Sequence, residues 1–193
     1  MKKSLVTAPT GTPISLAEAK IHLIVEHSDD DTLISAYISQ AVEFVEQYTG
    51  LFLMPQTWRY HFDCIIGDEL EIEAYNVLTV ESVSHKQASG ITIDLLTEVG
   101  VLGVYYIDKN SKPFRISPID SWPEMYSEGY NNFSVELISG YTDAASVPNG
   151  IKTALYLMVG HLYRNRESTT AVQMKTLPLG VYDFINKYRV YDL

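Results

Sequence analysis

The residues best equipped for chemistry in this sequence fall into four groups. Asp29-Asp30-Asp31 sets three carboxylates in a row. The run lacks the glycine and the terminal bidentate glutamate of a calcium loop. It directly precedes an apolar-periodic segment, so it reads as the acidic start of a helix, where the N-terminal dipole favours negative charge. His61-Phe62-Asp63-Cys64 offers three metal-ligating side-chain types. On a strand His61 and Asp63 share one face while Cys64 points away, which is poor geometry for a tetrahedral site. Between positions 68 and 98 stand Asp68, Glu69, Glu71, Glu73, Glu81, Asp94 and Glu98 against Lys86. Two of these carboxylates could act as a glycosidase-type pair. The alternation of Glu69, Glu71 and Glu73 instead sets them on one strand face as a solvated acidic surface. His22, His27, His85 and His161 are scattered over separate segments, and no spacing pairs one of them with a nucleophile.

The phosphate-loop, dinucleotide, nucleophile-elbow and zinc-protease signatures are all missing from the sequence. Gly100 and Gly103 lie close together but no helical pattern follows them, so they read as turn residues. The sequence therefore predicts no catalytic, cofactor or metal site and no enzyme. A net charge of −10 makes the chain a poor ligand for phosphate backbones, whose affinity comes from Lys and Arg displacing counterions. The single cysteine, Cys64, forms no internal disulfide, which fits synthesis in a reducing cytoplasm. No apolar segment follows Met1-Lys2-Lys3 as a signal peptide would require, and no run is long enough to span a bilayer. Tyrosine, at 14 copies, exceeds phenylalanine at 6, and its amphipathic ring suits surfaces that become half-buried in assemblies as well as strands.

Three sections position these residues. Residues 1–14 read as an extended arm punctuated by Pro9, Gly11 and Pro13. Ser15 and Glu18 form a capping box for a short helix with Leu16, Ala19 and Leu23 on its apolar face. Ser28 with Asp31 opens a second helix, in which Leu33, Ile34, Tyr37, Ile38, Ala41, Val42, Val45 and Tyr48 recur every three or four residues until Gly50 stops it. From about 56 to 141 the period becomes two. Strands are expected at 57–62, 69–73, 90–95, 101–107 and 133–138, with 118–132 as a long connection. Pro148 then falls in the first turn of a helix whose stripe is Ile151, Ala154, Leu155, Met158 and Leu162. A loop over 169–178 leads to a short C-terminal helix or arm at 179–191. The predicted fold class is α+β: a small helical bundle built by both chain ends (1–55 and 142–193) with an antiparallel β-rich insertion (56–141).

The ends of the sequence also resemble a family. Leu5-Val6-Thr7-Ala8-Pro9, the stretch from Ile14 to Leu23, Asp29 to Ile34, and Ala41 to Gly50 leading into Gln56-Thr57-Trp58 look like the start of tailed-phage head–tail connector (adaptor) proteins of the lambdoid long-tailed type, variants of which occur in prophages and gene-transfer agents. Gly140-Tyr141, Val147-Pro148 with Ile151 to Ala154, His161 to Glu167, and Pro178 to Val181 with Tyr188-Arg189 fit its second half. The resemblance covers roughly 5–58 and 140–190. It is looser between them, where Ser121-Trp122-Pro123 is the best match.

The resemblance implies a structural virion protein of the particle neck, synthesised in the host bacterial cytoplasm. It implies a homo-oligomeric ring of twelve copies beneath the portal, which extends the DNA channel and offers a surface to a stopper or tail-completion protein. DNA then slides through without specific binding, and Glu69, Glu71 and Glu73 are candidates for a channel-facing acidic surface. Leu179, Val181, Tyr182, Phe184, Ile185, Tyr188, Arg189, Val190 and Tyr191 form a C-terminal segment more apolar than a free terminus needs. It either folds back on its own core or docks on the portal or a neighbouring subunit. On the docking reading, deleting 179–193 abolishes portal attachment and leaves the subunit folded. Competing readings are another neck ring, such as a stopper or terminator, and a ligand-binding or hydrolytic β-module carried on a helical scaffold.

Overall fold

Ser15 starts the first helix as its spacing to Glu18 predicts. The Ser15 hydroxyl accepts the Glu18 backbone N–H, and the Glu18 carboxylate accepts the Ser15 N–H at 2.7 Å. Two of the donors left over at a helix start are thereby satisfied. The helix, α1 (Leu16–Leu23), ends in a less expected way. Ile24 caps it in the left-handed conformation at φ 59° with its side chain 87% exposed. A β-branched residue is crowded in that conformation, which glycine adopts freely. Ile24→Gly is therefore expected to raise the stability of this part of the chain by about 1 kcal/mol. A lower melting temperature for the variant would refute this.

The structure is a computed structural model that describes residues 1–65, 67–86, 92–94, 105–108, 111–122, 129–166 and 179–190. It divides into a unit of Gly11–Met54 with Tyr141–Leu193, which is helical, and a unit of Met1–Thr10 with Pro55–Gly140, which is β-rich. Glu98, Gly100, Gly103, the loop expected over 169–178 and Tyr191 lie outside the described residues, as do parts of the strands expected at 90–95 and 101–107.

In the helical unit α2 (Asp31–Thr49) buries Ile34, Ile38, Ala41, Val45 and Thr49. Gly50, at φ 75°, closes it by donating its N–H to the Glu46 carbonyl. The start of α2 differs from the Ser28/Asp31 expectation. Asp30 takes the cap position and makes no side-chain cap bond, because its carboxylate is engaged elsewhere. The third helix, α3 (Asn149–Arg164), follows Pro148 at the cap position and buries Ile151, Ala154, Leu155, Met158 and Val159. A short α4 (Leu179–Ile185) runs into a 3-10 turn at Asn186–Tyr188. One apolar cluster joins Ile14, Ala19, α2, α3, Val181 and Ile185, so both chain ends build the same core, as the α+β expectation requires.

The β unit holds β1 (Lys2–Thr7), β2 (Gln56–Phe62), β3 (Leu70–Ile72), β4 (Val77–Lys86), β5 (Thr92–Asp94), β6 (Tyr105–Asp108), β7 (Phe114–Pro118) and β8 (Phe133–Ser139). They form a five-stranded sheet ordered β1-β2-β8-β4-β5 and a three-stranded sheet ordered β3-β7-β6. Every described pairing is antiparallel. Tyr60, Phe62, Val80, Val83, Phe133, Val135 and Leu137 from the larger sheet meet Leu70, Ile72, Tyr105, Phe114 and Ile116 from the smaller, so the two faces enclose one core. Trp122 closes its margin, with its ring against Tyr105 and Phe133 and its indole N–H donating to the Gly67 carbonyl at 3.0 Å.

Three strands escape a reading by period. β4 is the most instructive. Its buried residues are Val77, Val80, Val83 and His85, a spacing of three, three and two. Register shifts between Val77 and Thr79 and between Val80 and Ser82 produce this spacing, because each bulge inserts a residue and turns the following side chains over. β7 offers only Phe114-x-Ile116 between two prolines and a turn-rich approach. Residues 2–7, expected as an extended arm, form the edge strand β1 along β2, and all six are exposed.

Candidate functional site

Side chains alternate along β2 and β8 and along β4 from Ser82 onward, so the face of the larger sheet opposite its core is polar there. Register sets Arg59 beside Glu136 and Glu136 beside Ser82, then His61 beside Ser134 and Ser134 beside Ser84. Arg59 Nη2 donates to Glu136 Oε1 at 2.9 Å, and Ser82 Oγ donates to Glu136 Oε2 at 3.1 Å. Ser84 and Ser134 share a hydroxyl hydrogen bond of 2.7 Å, and Ser4 on β1 shares one of 3.1 Å with His61 Nε2. Apart from Ser4, these residues line an open concavity of about 450 Å³ together with Lys86, whose Nζ donates to the Tyr130 carbonyl.

The electrostatics of this face are positive. Partial burial first, then the charges of Arg59, Lys86 and Lys2, push the His61 imidazole below its ordinary pKa, so it stays neutral near pH 7. Lys2 Nζ also lies 5.6 Å from the centre of the Tyr130 ring, and Tyr130 is 72% exposed. The Ser84 and Ser134 hydroxyls are turned to each other, the Glu136 carboxylate is turned to Arg59 and Ser82, and His61 Nε2 meets the Ser4 hydroxyl.

The acidic surface lies on β3. Leu70 and Ile72 point into the core, while Glu69, Glu71 and Glu73 are exposed. Arg115, from the neighbouring β7, stands 3.1 Å from Glu71 and 3.8 Å from Glu69, so the surface is acidic but partly neutralised. Asp63 of the His-Phe-Asp-Cys cluster anchors a turn. Its carboxylate accepts the Asn131 N–H at 2.7 Å and its carbonyl accepts the Asn132 side chain at 3.1 Å. Cys64 is exposed.

The C-terminal residues separate by helical phase. Val181 and Ile185, four apart, are fully buried in the helical core. Tyr182 and Tyr188 are half-buried against it, with Tyr182 edge-on to Tyr48 and Phe44. Phe184 is 39% exposed. The Arg189 guanidinium sits 5.0 Å over the Tyr48 ring, and the Val190 N–H donates to the Thr49 carbonyl at 2.9 Å. Leu179 opens α4. This segment therefore covers its own core along one side and presents Phe184 on the other, while Arg189, though exposed, lies over the Tyr48 ring.

Asp29-Asp30-Asp31 is a clasp within the helical unit. The Asp30 carboxylate accepts the Tyr163 hydroxyl and Arg166 Nη2, and Asp31 accepts Lys20 Nζ at 2.6 Å. The Tyr163 bond foremost, then Arg166, hold the Asp30 carboxyl below its ordinary pKa. Asp30 thus favours folding above the usual carboxylate range, and that contribution is lost as pH falls through its lowered value. His22 stacks on Tyr156 at 5.4 Å, and His161 receives Asn165 at the end of α3.

Residues 13–97, spanning α1, α2 and the first strands after them, match the family model of phage gp6-like head-tail connector proteins. Over these residues the chain is similar to that family. No curated protein matches it significantly. A likeness in fold extends over the whole chain. A protein in the neck of an empty gene transfer agent particle, computed with C6 symmetry, superposes with a TM-score of 0.81 at 21% identity, covering 100% of this chain and 97% of its own. Chains from the native gene transfer agent virion and from its neck computed with C12 symmetry give TM-scores of 0.79 and 0.77, with the same identity and coverage. At this identity the likeness is one of fold. The family match takes in α1, α2 and the start of β2, where the sequence resembles the family most, runs on through 59–97, where the resemblance is looser, and does not reach 140–190.

Proposed function

We propose that the chain is a non-catalytic adaptor subunit of a phage-like particle neck, which assembles as a ring beneath the portal and carries the DNA channel toward the tail. The family match over residues 13–97 carries this reading. Full-length likeness in fold to chains of particle necks with C6 and C12 symmetry supports it. The subunit is made in the host bacterial cytoplasm and joins the particle from there. Portal, further copies of this chain and a stopper or tail-completion protein are its partners. DNA passes without specific binding, and Glu69, Glu71 and Glu73 keep it from adhering where they face the channel.

The portal contact falls on the exposed residues of the C-terminal segment, Phe184 with Arg189, because Val181 and Ile185 are committed to the subunit's own core and Tyr188 is half-buried against it. Mixing the purified chain with portal rings is the direct test. Light scattering is expected to show a fixed number of copies added per portal, and Phe184→Ala with Arg189→Ala to weaken that addition at unchanged fold. A chain that adds nothing to any portal state would overturn the proposal.

A further inference from the structure

The polar face of the five-stranded sheet concentrates positive charge in a chain whose net charge is −10. Lys2, Arg59 and Lys86 come from three strands, far apart in sequence, and all lie close enough to His61 to act on its imidazole. Glu136 is the one carboxylate among the described residues lining the concavity, and Arg59 already occupies it. The same unit bears the opposite surface. Asp68, Glu69, Glu71 and Glu73 are exposed along β3, with Arg115 as their paired cation. Among the described strands β3 is an edge of its sheet, and its carboxylates are exposed.

We propose that the basic concavity seats the acidic β3 edge of a second copy of this chain. Two different patches of opposite charge on one subunit make a head-to-tail contact, which repeats from copy to copy and closes when the rotation permits. Complementary charge fixes the register of such a contact and speeds the encounter. Tyr130, exposed beside Lys2, supplies the large amphipathic ring that anchors interfaces of this kind. The inference rests on the ring reading above and assigns the surfaces that build the ring.

Charge reversal tests it. Lys2→Glu with Lys86→Glu leaves the Arg59–Glu136 pair intact, and Asp68→Lys with Glu73→Lys leaves both Arg115 pairs intact. Sedimentation velocity at low salt is expected to show each double variant self-associating about a hundredfold more weakly than the natural chain. The fourfold variant, with both patches reversed, is expected to recover most of that loss. Tyr130→Ala, which changes no charge, is expected to weaken association as well. Circular dichroism confirms that each variant is folded. Double variants that associate like the natural chain, or a fourfold variant that recovers nothing, overturn the inference. So does a natural chain that remains monomeric to its solubility limit while still adding to portal rings, which leaves the adaptor reading standing. Loss of DNA retention in the Lys2/Lys86 variant at unchanged self-association reassigns the face to phosphate backbones.

Discussion

Ile185→Ala is expected to lower the stability of the helical unit by about 3 kcal/mol, because deleting a buried aliphatic side chain removes its transfer energy and leaves a cavity that relaxes only in part. Ile185 is 0% exposed and shares its cluster with Val181, Ile38, Val45, Leu155 and Met158. Phe184, its chain neighbour, points the other way and is 39% exposed. Phe184→Ala is expected to cost less than about 1 kcal/mol, as exposed truncations do. Chemical denaturation followed by circular dichroism measures both. The comparison separates the two roles of the C-terminal segment, since one variant attacks the core and the other attacks the surface offered to a partner. It also replaces the cruder deletion of 179–193. Because that deletion removes Val181 and Ile185, it opens the core and is expected to unfold the helical unit along with any attachment. Equal losses for Ile185→Ala and Phe184→Ala would show that α4 is not docked as described.

At high pH the β unit is expected to fail first through its buried phenols. Tyr60 is fully buried, its hydroxyl meets no hydrogen-bond partner among the described residues, and burial pushes its pKa from 10.0 up to about 12. Burial alone raises Tyr105 to about 12 as well. A group whose folded pKa is raised contributes stability that is whole below its unfolded pKa and is lost as pH climbs through the folded one. The window is therefore pH 10 to about 12, and the gap corresponds to on the order of 3 kcal/mol for Tyr60. Tyr60→Phe removes the Tyr60 share of that dependence and leaves that of Tyr105. It is also expected to raise stability near pH 7 by about 1 kcal/mol, because an unbonded buried hydroxyl is lost without leaving a cavity. Denaturation curves at about pH 7, 10 and 11.5, below and above the ordinary phenol pKa, test this. A Tyr60→Phe protein that loses stability above pH 10 as steeply as the natural chain would remove Tyr60 as the cause.

The helices were legible from local chemistry. Ser15 and Glu18 form their box, the three- and four-residue recurrence from Leu33 to Tyr48 becomes α2, and Gly50 stops it. Each of these signals acts within one or two turns, where tertiary contacts have little to overrule. Asp30 shows where that stops. Local rules make it a capping residue, but Tyr163 and Arg166, more than a hundred positions away, take its carboxylate. The face of β3 was legible for the same reason as α2, since strict alternation of Glu69, Glu71 and Glu73 with Leu70 and Ile72 admits one inward side. Ile24 illustrates the opposite case, because nothing in its type announces a left-handed cap.

By itself the sequence determined the α+β class, the caps and stripes of the helices, the acidic strand and the resemblance to head–tail connectors, all of which depend on residues near one another in the chain. Tertiary structure decided the rest. The bulges of β4 re-phase its side chains only against β8, so Val77, Val80 and Val83 become inward residues at a spacing that no flat strand has. The pairing of β1 with β2 turns an apparent arm into a sheet edge and brings Lys2 to His61. Packing of α4 chooses which side of an evenly apolar segment is core and which is surface. In each case the deciding partner lies tens of residues away, and periodicity carries no information about partners at that distance.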